Sequence, residues 1–294
     1  MVRVLVIGGT KFIGPYVVRE LVNHGHDVVV FHRGETEAGL PDAVRHVRSP
    51  QAAMPVLQFP HEVREPAPDL VVHMIPMGED DTRAAVEVFR GRAGRLVCLS
   101  SGDVYRAYGR FTGIEPGPVE EGLLTEESPL RSVLYPYRAQ AKTTSELAYY
   151  YEKILMERVA LGAADLPAAV LRLPKVYGPG NNADLAVVYQ ARQNPQWRWT
   201  HGYVENVAHA IVLAALHPGA AGRVYNVGEE HTPTIAERLP LLPPAAAETV
   251  AASAYNYAQD IAYDTARIRR ELGFREPIPY EEGLRRIGAS SNDR

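Results

Sequence analysis

Cysteine and lysine are scarce in this 294-residue sequence. The single cysteine, Cys98, cannot form an intramolecular disulfide or a cysteine-rich metal site, which fits a reducing compartment. None of the ten histidines follows a ligand spacing such as His-Glu-x-x-His, so we assign no metal. Only four of the 31 Lys and Arg residues are lysines, so each lysine is a position to inspect for chemistry.

Long apolar runs and runs of like charge are also missing. No stretch reaches the about 18 uninterrupted apolar residues of a membrane-spanning helix, and the N-terminus lacks the features of a signal peptide. The formal net charge is −4 and no basic stripe is present, which argues against a nucleic-acid partner. We therefore expect a cytoplasmic globular protein that does not contact a membrane.

Short apolar runs alternate with amphipathic stretches through the first two thirds of the chain. The apolar runs, which are typical of buried parallel strands, are 2–7, 27–31, 69–74, 95–100 and 170–173. Helical periodicity follows at 12–22, 82–89 and 146–161. This alternation predicts an α/β fold, a Rossmann-type doubly wound parallel sheet with helices on both faces.

The places where the alternation fails define the expected domain organisation. We predict a Rossmann domain from residues 1–173 with 203–227, and a smaller C-terminal portion from 174–202 with 228–294. Residues 106–145 carry Gly, Pro, Glu and Thr without a sustained period. Because so long a segment is unusual as a plain connection, we interpret it as an insert or an active-site flap.

The turn after the first strand carries the strongest functional signal. It reads Ile7-Gly-Gly-Thr-Lys-Phe-Ile-Gly14 and lies between a predicted strand and a predicted helix. In that context glycines let the backbone approach a pyrophosphate at the helix N-terminus, which predicts dinucleotide binding rather than packing alone. The residues expected to contact the cofactor here are Gly8, Thr10, Lys11, Phe12, Ile13 and Gly14.

Further segments extend this signal over most of the chain: His73, the Ser100-Ser101 pair, and the stretches 171–180 and 202–208. Together with the glycine turn they resemble the NAD-dependent epimerase/dehydratase family, the extended short-chain dehydrogenases/reductases. Lys11 stands where that family usually has its middle glycine, a departure similar to its atypical branch. The resemblance implies an NAD(P)-dependent oxidoreductase or epimerase acting on an alcohol or ketone carbon of a small polar molecule, with sugar nucleotides as the family's example.

The end of the second strand bears on the choice of cofactor. An acidic residue there accepts a hydrogen bond from the ribose 2′-hydroxyl of NAD, but this chain has no carboxylate before Glu35. Arg33 can pair with a 2′-phosphate, and Lys11 can approach from the glycine turn. We therefore prefer NADP over NAD, while a solvated Arg33 stays open as the alternative.

Other cofactor contacts follow from strand ends and from the resemblance. His73 lies near the end of the predicted strand 69–74, where it either touches the cofactor or makes an ordinary hydrogen bond. The resemblance implies that Pro174 and Val176 line the nicotinamide and that a lysine binds its ribose, a role we give to Lys153.

The resemblance also implies a catalytic tyrosine, a lysine four residues later that lowers its pKa, and a hydroxyl that orients the substrate oxygen. Tyr149 and Lys153 have this spacing, which would place both side chains on one helical face. Ser101 is preferred to Ser100 as the hydroxyl, counting back from the Val-Tyr pair that follows.

Other tyrosines stay open as the acid/base. Tyr137 precedes Lys142 by five residues, which turns the lysine about 100° further round a helix. Tyr150 or Tyr151 would replace Tyr149 if the helix begins late. The tyrosines could also be packing residues in a branch that has lost the chemistry.

The expected substrate contacts are Tyr105, Tyr177, Arg198 and Trp199. Residues 196–201 form the densest aromatic and cationic cluster in the chain, which fits a nucleobase or sugar phosphate but is equally typical of a core. The partner is then a small molecule, and a homodimer is compatible with the sequence. Two other functions stay open: a dinucleotide-binding sensor or RNA-binding module without turnover, and a dehydratase using Asp103 or Glu146.

Overall fold

A computed structural model describes residues 1–36, 39–50, 54–179, 181–182, 185–242 and 255–291 of the chain. Its main sheet has seven parallel strands in the order β3-β2-β1-β4-β5-β6-β9. These strands are β1 (Arg3–Ile7), β2 (Asp27–His32), β3 (Arg45–Arg48), β4 (Leu70–His73), β5 (Arg95–Ser101), β6 (Ala168–Leu173) and β9 (Arg223–Asn226). A separate parallel pair is formed by β7 (Lys175–Tyr177) and β8 (His201–Tyr203).

Helices connect most of these strands. They are α1 (Gly14–Asn23), α2 (His61–Arg64), α3 (Glu79–Phe89), α4 (Arg106–Thr112), α5 (Leu147–Tyr150), α6 (Lys153–Leu161), α7 (Ala186–Gln190), α8 (Val204–Leu216), α9 (Ile235–Arg238), α10 (Ala266–Leu272) and α11 (Tyr280–Ser291). Within the described ranges, none is both long and apolar enough to cross a membrane. The predicted doubly wound α/β fold is confirmed.

The sheet is buried on both faces because alternate side chains of each strand enter different cores. In β1, Val4 and Val6 pack in the cluster that contains residues of α1 and α8, whereas Leu5 and Ile7 pack in the cluster of α3 and α6. This explains why the strands read as continuous apolar runs. The strand order reverses between β1 and β4, and in such sheets ligands bind at the carboxyl ends next to the reversal.

A third apolar cluster lies beyond the strand ends and includes Tyr177, Trp197 and Tyr263. The β7–β8 pair contributes to it, so the smaller part of the chain has buried residues of its own. The predicted division into 1–173 with 203–227 and 174–202 with 228–294 stays a prediction.

Residues 106–145 begin with α4, and the rest of the segment contacts other parts of the chain. Backbone bridges join Leu130 to Tyr105 and Leu124 to Tyr263. Arg131, in the middle of the segment, is only 3% exposed. The segment is thus attached at several points, and its role as a flap stays a prediction.

The single helix expected over 146–161 is wrong. Helices α5 and α6 are separated by Tyr151 and Glu152, whose ψ angles of 115° and 98° are extended. The Glu152 carboxylate accepts a hydrogen bond from the backbone N–H of Ile154 at 2.8 Å and so begins α6. It is also paired with the buried Arg131, with 3.4 Å between nitrogen and oxygen. This contact comes from outside the helix, and periodicity cannot reveal it.

Candidate active site

The glycine turn between β1 and α1 has a backbone that few other residues would allow. Gly8 and Gly9 have φ angles of +89° and +99°. A Cβ on Gly14 would lie 2.3 Å from the Cα of Gly9, so the first turn of α1 rests directly on the preceding loop. A Cβ on Gly8 would lie 3.2 Å from Cβ of Met74. The open surface above this turn therefore fits the close approach of a pyrophosphate.

A cavity of about 580 Å³ runs across the turn along the carboxyl ends of the strands. One end is lined by residues 31–36, next to the predicted adenosine ribose position, and the other by Ser101, Tyr151, Lys153 and Pro174. The predicted cofactor residues that line it are Gly8, Thr10, Lys11, Phe12, Ile13, Arg33, Lys153, Pro174 and Val176. Gly14 does not line the cavity but packs beneath it, and His73 does not line it.

Ser100 and Ser101 end β5 and differ in what holds their hydroxyls. Ser100 is 3% exposed, and its hydroxyl donates to Glu157 Oε1 at 2.5 Å. Glu157 also pairs with Arg172 at 2.7 Å, so Ser100 belongs to a buried ionic network. Ser101 Oγ accepts a long hydrogen bond, 3.4 Å, from the backbone N–H of Asp103. Of the two, Ser101 has the hydroxyl available for a ligand.

Tyr149 is not placed beside Lys153. Its ring lies below the guanidinium of Arg138, whose Cζ is 4.7 Å from the ring centroid, and it does not line the cavity. Because α5 ends before Lys153 begins α6, the two side chains do not share a helical face. The expected Tyr149–Lys153 geometry is therefore wrong. Tyr151 lines the cavity instead, and Lys153 Nζ is 5.4 Å from its ring centroid.

The segment that carries Tyr151 is fixed against the loop after β4. The Glu152 N–H donates to the carbonyl of Met77 at 2.9 Å. Gly78 leaves room for this approach, since a Cβ there would lie 2.7 Å from the carbonyl oxygen of Tyr150. Sequence reasoning missed both Gly78 and Arg131, the residue that holds Glu152, because neither belongs to a local motif.

Lys153 reaches the cavity from a buried position. It is 6% exposed, and its ammonium donates to the carbonyl oxygens of Pro76 and, at 3.0 Å, Leu99. Burial lowers its pKa, while the Asp81 and Asp103 carboxylates act in the opposite direction. Two of its three N–H groups are thus used by the protein, and the remaining one is available for a cofactor hydroxyl.

Three phenols surround the carboxylate of Asp103. Tyr137 donates to Asp103 Oδ2 at 2.9 Å, and its oxygen is 3.3 Å from that of Tyr108. Asp103 and Ser101 both act on the pKa of Tyr151, which the carboxylate raises and the Ser101 hydroxyl lowers. Burial is the main cause that raises the pKa of Asp103 and of Tyr151, the latter well above its ordinary value. Tyr137, the rival of Tyr149, is therefore adjacent to the site.

His73 and two predicted substrate residues are buried in the protein. His73 is 0% exposed, which excludes a direct cofactor contact in this structure. Tyr105 is also 0% exposed, and its hydroxyl donates to Asn226 Oδ1 at 2.6 Å. Tyr177 is 1% exposed and borders a different cavity, so neither tyrosine is placed to contact a substrate at the first cavity. Strand-end position identified these residues, but their side chains enter the core.

The aromatic and cationic cluster lies beyond the Tyr151 end of the cavity. Arg198 is held by Asp260, with Nε 2.9 Å from Oδ2. Trp199 is half-buried, and Lys175 Nζ is 5.6 Å from its ring centroid. Of these residues only Lys175 lines the cavity, and the sequence analysis did not single it out as a substrate contact. Lys175 therefore connects the two: it lines the cavity and also contacts Trp199 of the aromatic cluster.

The opposite end of the cavity carries charges of both signs. Arg33 is paired with Glu35 at 2.8 Å, and both line the cavity. Their side chains are 31% and 50% exposed. The carboxylate that the sequence analysis set aside therefore neutralises the arginine on which the preference for NADP rested. Within the described ranges, no three His, Cys, Asp or Glu side chains converge as metal ligands would.

Comparisons with known proteins extend these observations. The model of the NAD dependent epimerase/dehydratase family matches residues 4–228. The dTDP-glucose 4,6-dehydratase of Streptomyces griseus is 29% identical over 314 residues, which cover 96% of this chain and 92% of that protein.

Two solved structures show the same fold. MoeE5 in complex with UDP-glucuronic acid and NAD superimposes with a TM-score of 0.70 at 22% identity, covering 99% of this chain and 100% of that one. A UDP-glucose 4-epimerase of Thermotoga maritima has a TM-score of 0.66 at 18% identity and covers 99% of both chains.

Proposed function

The chain belongs to the NAD dependent epimerase/dehydratase family, and we propose that it transfers hydride at an alcohol or ketone carbon of a nucleotide-linked sugar. Family membership makes it an NAD-dependent enzyme of the extended short-chain dehydrogenase/reductase type. One observation carries the finer proposal: Ser101, Tyr151 and Lys153 meet at one end of a cavity whose floor is the glycine turn.

Each of these side chains has a role that its position supports. When bound, the nicotinamide accepts or supplies the hydride. Ser101 orients the substrate oxygen with its weakly bonded hydroxyl. Tyr151 exchanges a proton with that oxygen, which is the role that the sequence analysis gave to Tyr149. Lys153 holds the cofactor ribose with its remaining N–H, and Pro174 and Val176 form the wall of the nicotinamide position.

For the carrier we propose NAD rather than NADP. A 2′-phosphate at the ribose end would have to displace Glu35 from Arg33 or lie beside its negative charge. The 2′-hydroxyl of NAD instead offers a donor to that carboxylate. Lys11 lines the cavity at the glycine turn, where its charge would favour either carrier.

The charged and aromatic side chains beyond the reaction centre support a nucleotide-linked sugar as the substrate. Lys175 lines the cavity and lies over Trp199, so a phosphate and a flat ring have partners next to each other. Arg198 stands beside them, fixed by Asp260. The relatives named above act on dTDP-glucose or bind UDP-glucuronic acid, which makes these compounds the first ones to test. A homodimer stays a prediction, to be checked by light scattering.

Dehydration is less well supported than hydride transfer alone. The two carboxylates that the sequence offered for elimination, Asp103 and Glu146, do not line the cavity. Asp103 is 4% exposed, and Glu146 accepts a hydrogen bond from the N–H of Lys142. A carboxylate that abstracts a carbon-bound proton must reach the substrate, so we do not propose this step.

The test compares Tyr151→Phe with Tyr149→Phe. We expect Tyr151→Phe to lower turnover of UDP-glucose, UDP-glucuronic acid or dTDP-glucose by about a hundredfold or more, because it removes the proton carrier. Tyr149→Phe, a matched control outside the cavity, should stay within about threefold of wild type, an allowance for indirect effects. NADH binding, measured by fluorescence titration, should persist in both variants. Equal losses in the two variants would refute the assignment of Tyr151.

A further inference from the structure

A second cavity of about 430 Å³ lies beside the first, and its volume is typical of small-molecule sites. The two cavities meet opposite sides of β7: because side chains alternate along a strand, Val176 lines the first cavity and its neighbour Tyr177 the second. We call the second one the rear cavity. Its lining includes Tyr177, Tyr203, Val207, Glu229, Phe274 and Tyr280. The hydride transfer proposed above does not use it.

Two glycines of the rear cavity pack against the wall of the nicotinamide position. Gly202 and Gly228 line the rear cavity, whereas Pro174 lines the first one. A Cβ on Gly202 would lie 2.9 Å from Cγ of Pro174, and a Cβ on Gly228 would lie 3.4 Å from its Cβ. The cavities are thus one residue layer apart at this point, so a binding measurement at one must keep the other occupied.

Apolar and aromatic side chains form most of the rear cavity. Val207, Val227 and Phe274 belong to the buried cluster of α1, α8 and the sheet. The rings of Tyr177 and Tyr203 form a corner, with centroids 5.5 Å apart and planes tilted by 63°. Such walls fit the apolar body of a ligand, and the faces of aromatic rings attract a positive charge.

The Tyr177 hydroxyl is a buried polar group without a partner in the described part of the protein. Tyr177 is 1% exposed, and its hydroxyl makes no hydrogen bond within the described ranges. This oxygen is not sealed inside the protein, in contrast to the unpaired Nε2 of His201, so it opens on the rear cavity that Tyr177 lines. Leaving such a group unpaired costs free energy, which a polar ligand would recover.

Carboxylates are the charged groups nearest to the rear cavity. Glu229, Glu230 and Glu276 line it, and no lysine or arginine in the described part of the chain does. Arg238 pairs with Glu229 and Arg269 with Glu276, but both arginines lie behind the lining. Three carboxylates against two arginines leave one negative charge in excess. The cavity therefore presents acceptors and negative charge to a ligand.

Glu229 has one carboxylate oxygen left for a ligand. Its Oε1 accepts hydrogen bonds from the backbone N–H of His201, at 3.0 Å, and from the guanidinium of Arg238. Within the described ranges Oε2 accepts none, and the side chain is 12% exposed. A carboxylate oxygen without a donor in an apolar wall favours a charged donor as its partner.

We propose that the rear cavity binds a small organic cation, an ammonium group on an apolar or aromatic body. The ammonium donates to the remaining oxygen of Glu229, and the body packs against the rings of Tyr177 and Tyr203. The Tyr177 hydroxyl supplies a further hydrogen bond. Because the excess charge around the lining is negative, this cavity rejects the anionic nucleotide sugars proposed for the first one. The two cavities thus bind different classes of compound.

Three indole compounds that differ in charge test this assignment: the cation tryptamine, the neutral tryptophol and the anion indole-3-acetate. Each is titrated calorimetrically into NAD-saturated protein at about pH 8, where histidine side chains are generally neutral. We expect tryptamine to bind with a Kd of about 1 mM or tighter, at least about tenfold tighter than tryptophol. Indole-3-acetate should not bind. Absence of tryptamine binding, or equal binding of the three compounds, would overturn the inference.

Two variants locate the bound tryptamine. Ile278→Trp fills the rear cavity from its lining and should abolish binding. Tyr177→Phe removes the unpaired hydroxyl and should weaken binding about fivefold, which corresponds to one hydrogen bond. Tyr105→Phe is the matched control, because it removes a buried hydroxyl that is bonded to Asn226 and does not line the cavity. It should leave the affinity for tryptamine unchanged.

Thermal unfolding shows that each variant is folded. Wild-type affinity in Ile278→Trp would place tryptamine outside the rear cavity and refute the inference. Wild-type affinity in Tyr177→Phe would refute the role of its hydroxyl. If either variant fails to fold, the comparison of the three indole compounds on the wild-type protein still decides whether the chain selects an organic cation.

Discussion

At the scale of single residues, Glu35 lies at the end of the cavity where we propose that the cofactor ribose binds. Its carboxylate is 2.8 Å from Arg33, so the guanidinium is neutralised before any ligand binds. Replacing Glu35 with Gln keeps the shape of the side chain but removes this ion pair. We expect Glu35→Gln to strengthen NADPH binding about fivefold, as one released exposed ion pair permits, and to weaken NADH binding slightly.

Fluorescence titrations with NADPH and NADH in parallel measure this change. Arg33→Gln should act in the opposite direction and weaken NADPH binding, while Glu62→Gln, at an exposed position on α2, should change neither affinity. Unchanged affinities in Glu35→Gln would mean that this end of the cavity does not distinguish a 2′-phosphate from a 2′-hydroxyl. Ionic strength must be held constant, because exposed charges are screened by salt.

Single residues also show where sequence reasoning stops. Ser101, the predicted catalytic hydroxyl, lines the cavity because it ends a strand whose register is fixed by the sheet. The choice among Tyr149, Tyr150 and Tyr151 depended on where a helix begins. That point is set by Glu152, an uncommon helix-capping residue, and its distant partner Arg131. No local pattern carries this information.

At the scale of elements, Arg131 joins the 106–145 segment to the start of α6. Its side chain is fully buried with that of Glu152, and it also donates to the carbonyl oxygens of Asp103 and Val133. Removing one member of a buried ion pair leaves the other charge without a partner. We expect Arg131→Met to lower the free energy of unfolding by about 3 to 5 kcal/mol, measured by urea denaturation.

The double variant Arg131→Met/Glu152→Gln should recover part of that loss, because no unpaired carboxylate remains. Arg106→Met is the matched control within the same segment. It breaks a pair with Glu120 whose side chains are 36% and 19% exposed, and it should destabilise the protein much less than Arg131→Met does. Similar losses in Arg131→Met and Arg106→Met would show that the buried pair does not hold the segment.

Elements differ in how well the sequence predicts them. Strands β1, β2, β4, β5 and β6 were predicted almost to the residue, because burial on both faces demands apolar residues throughout. The short β7–β8 pair was not predicted, because three-residue strands contain too little pattern. Lys175 and Val176, the first two residues of β7, nevertheless line the cavity.

At the scale of the whole molecule, the centre of the sheet contains a histidine whose protonation should destabilise the fold. His73 pairs in register with Ile7 on β1 and Cys98 on β5. It is completely buried, and among the described residues neither ring nitrogen has a hydrogen-bond partner. Burial, and then the charge of Lys153, lower the pKa of His73 from 6.5 to about 3. The folded protein therefore keeps this ring neutral well into the acid range.

This shift makes stability fall as the pH is lowered. Below about pH 6.5 the unfolded chain takes up a proton at His73 that the folded chain refuses until about pH 3, so the unfolded state binds more protons throughout that window. Between pH 7 and pH 5 the loss from this one residue is about 2 kcal/mol. His73→Leu should remove that part of the acid sensitivity, measured as the difference between urea unfolding free energies at the two pH values. His61→Gln, which removes an exposed histidine, should retain the wild-type difference, and the same retention in His73→Leu would contradict the prediction.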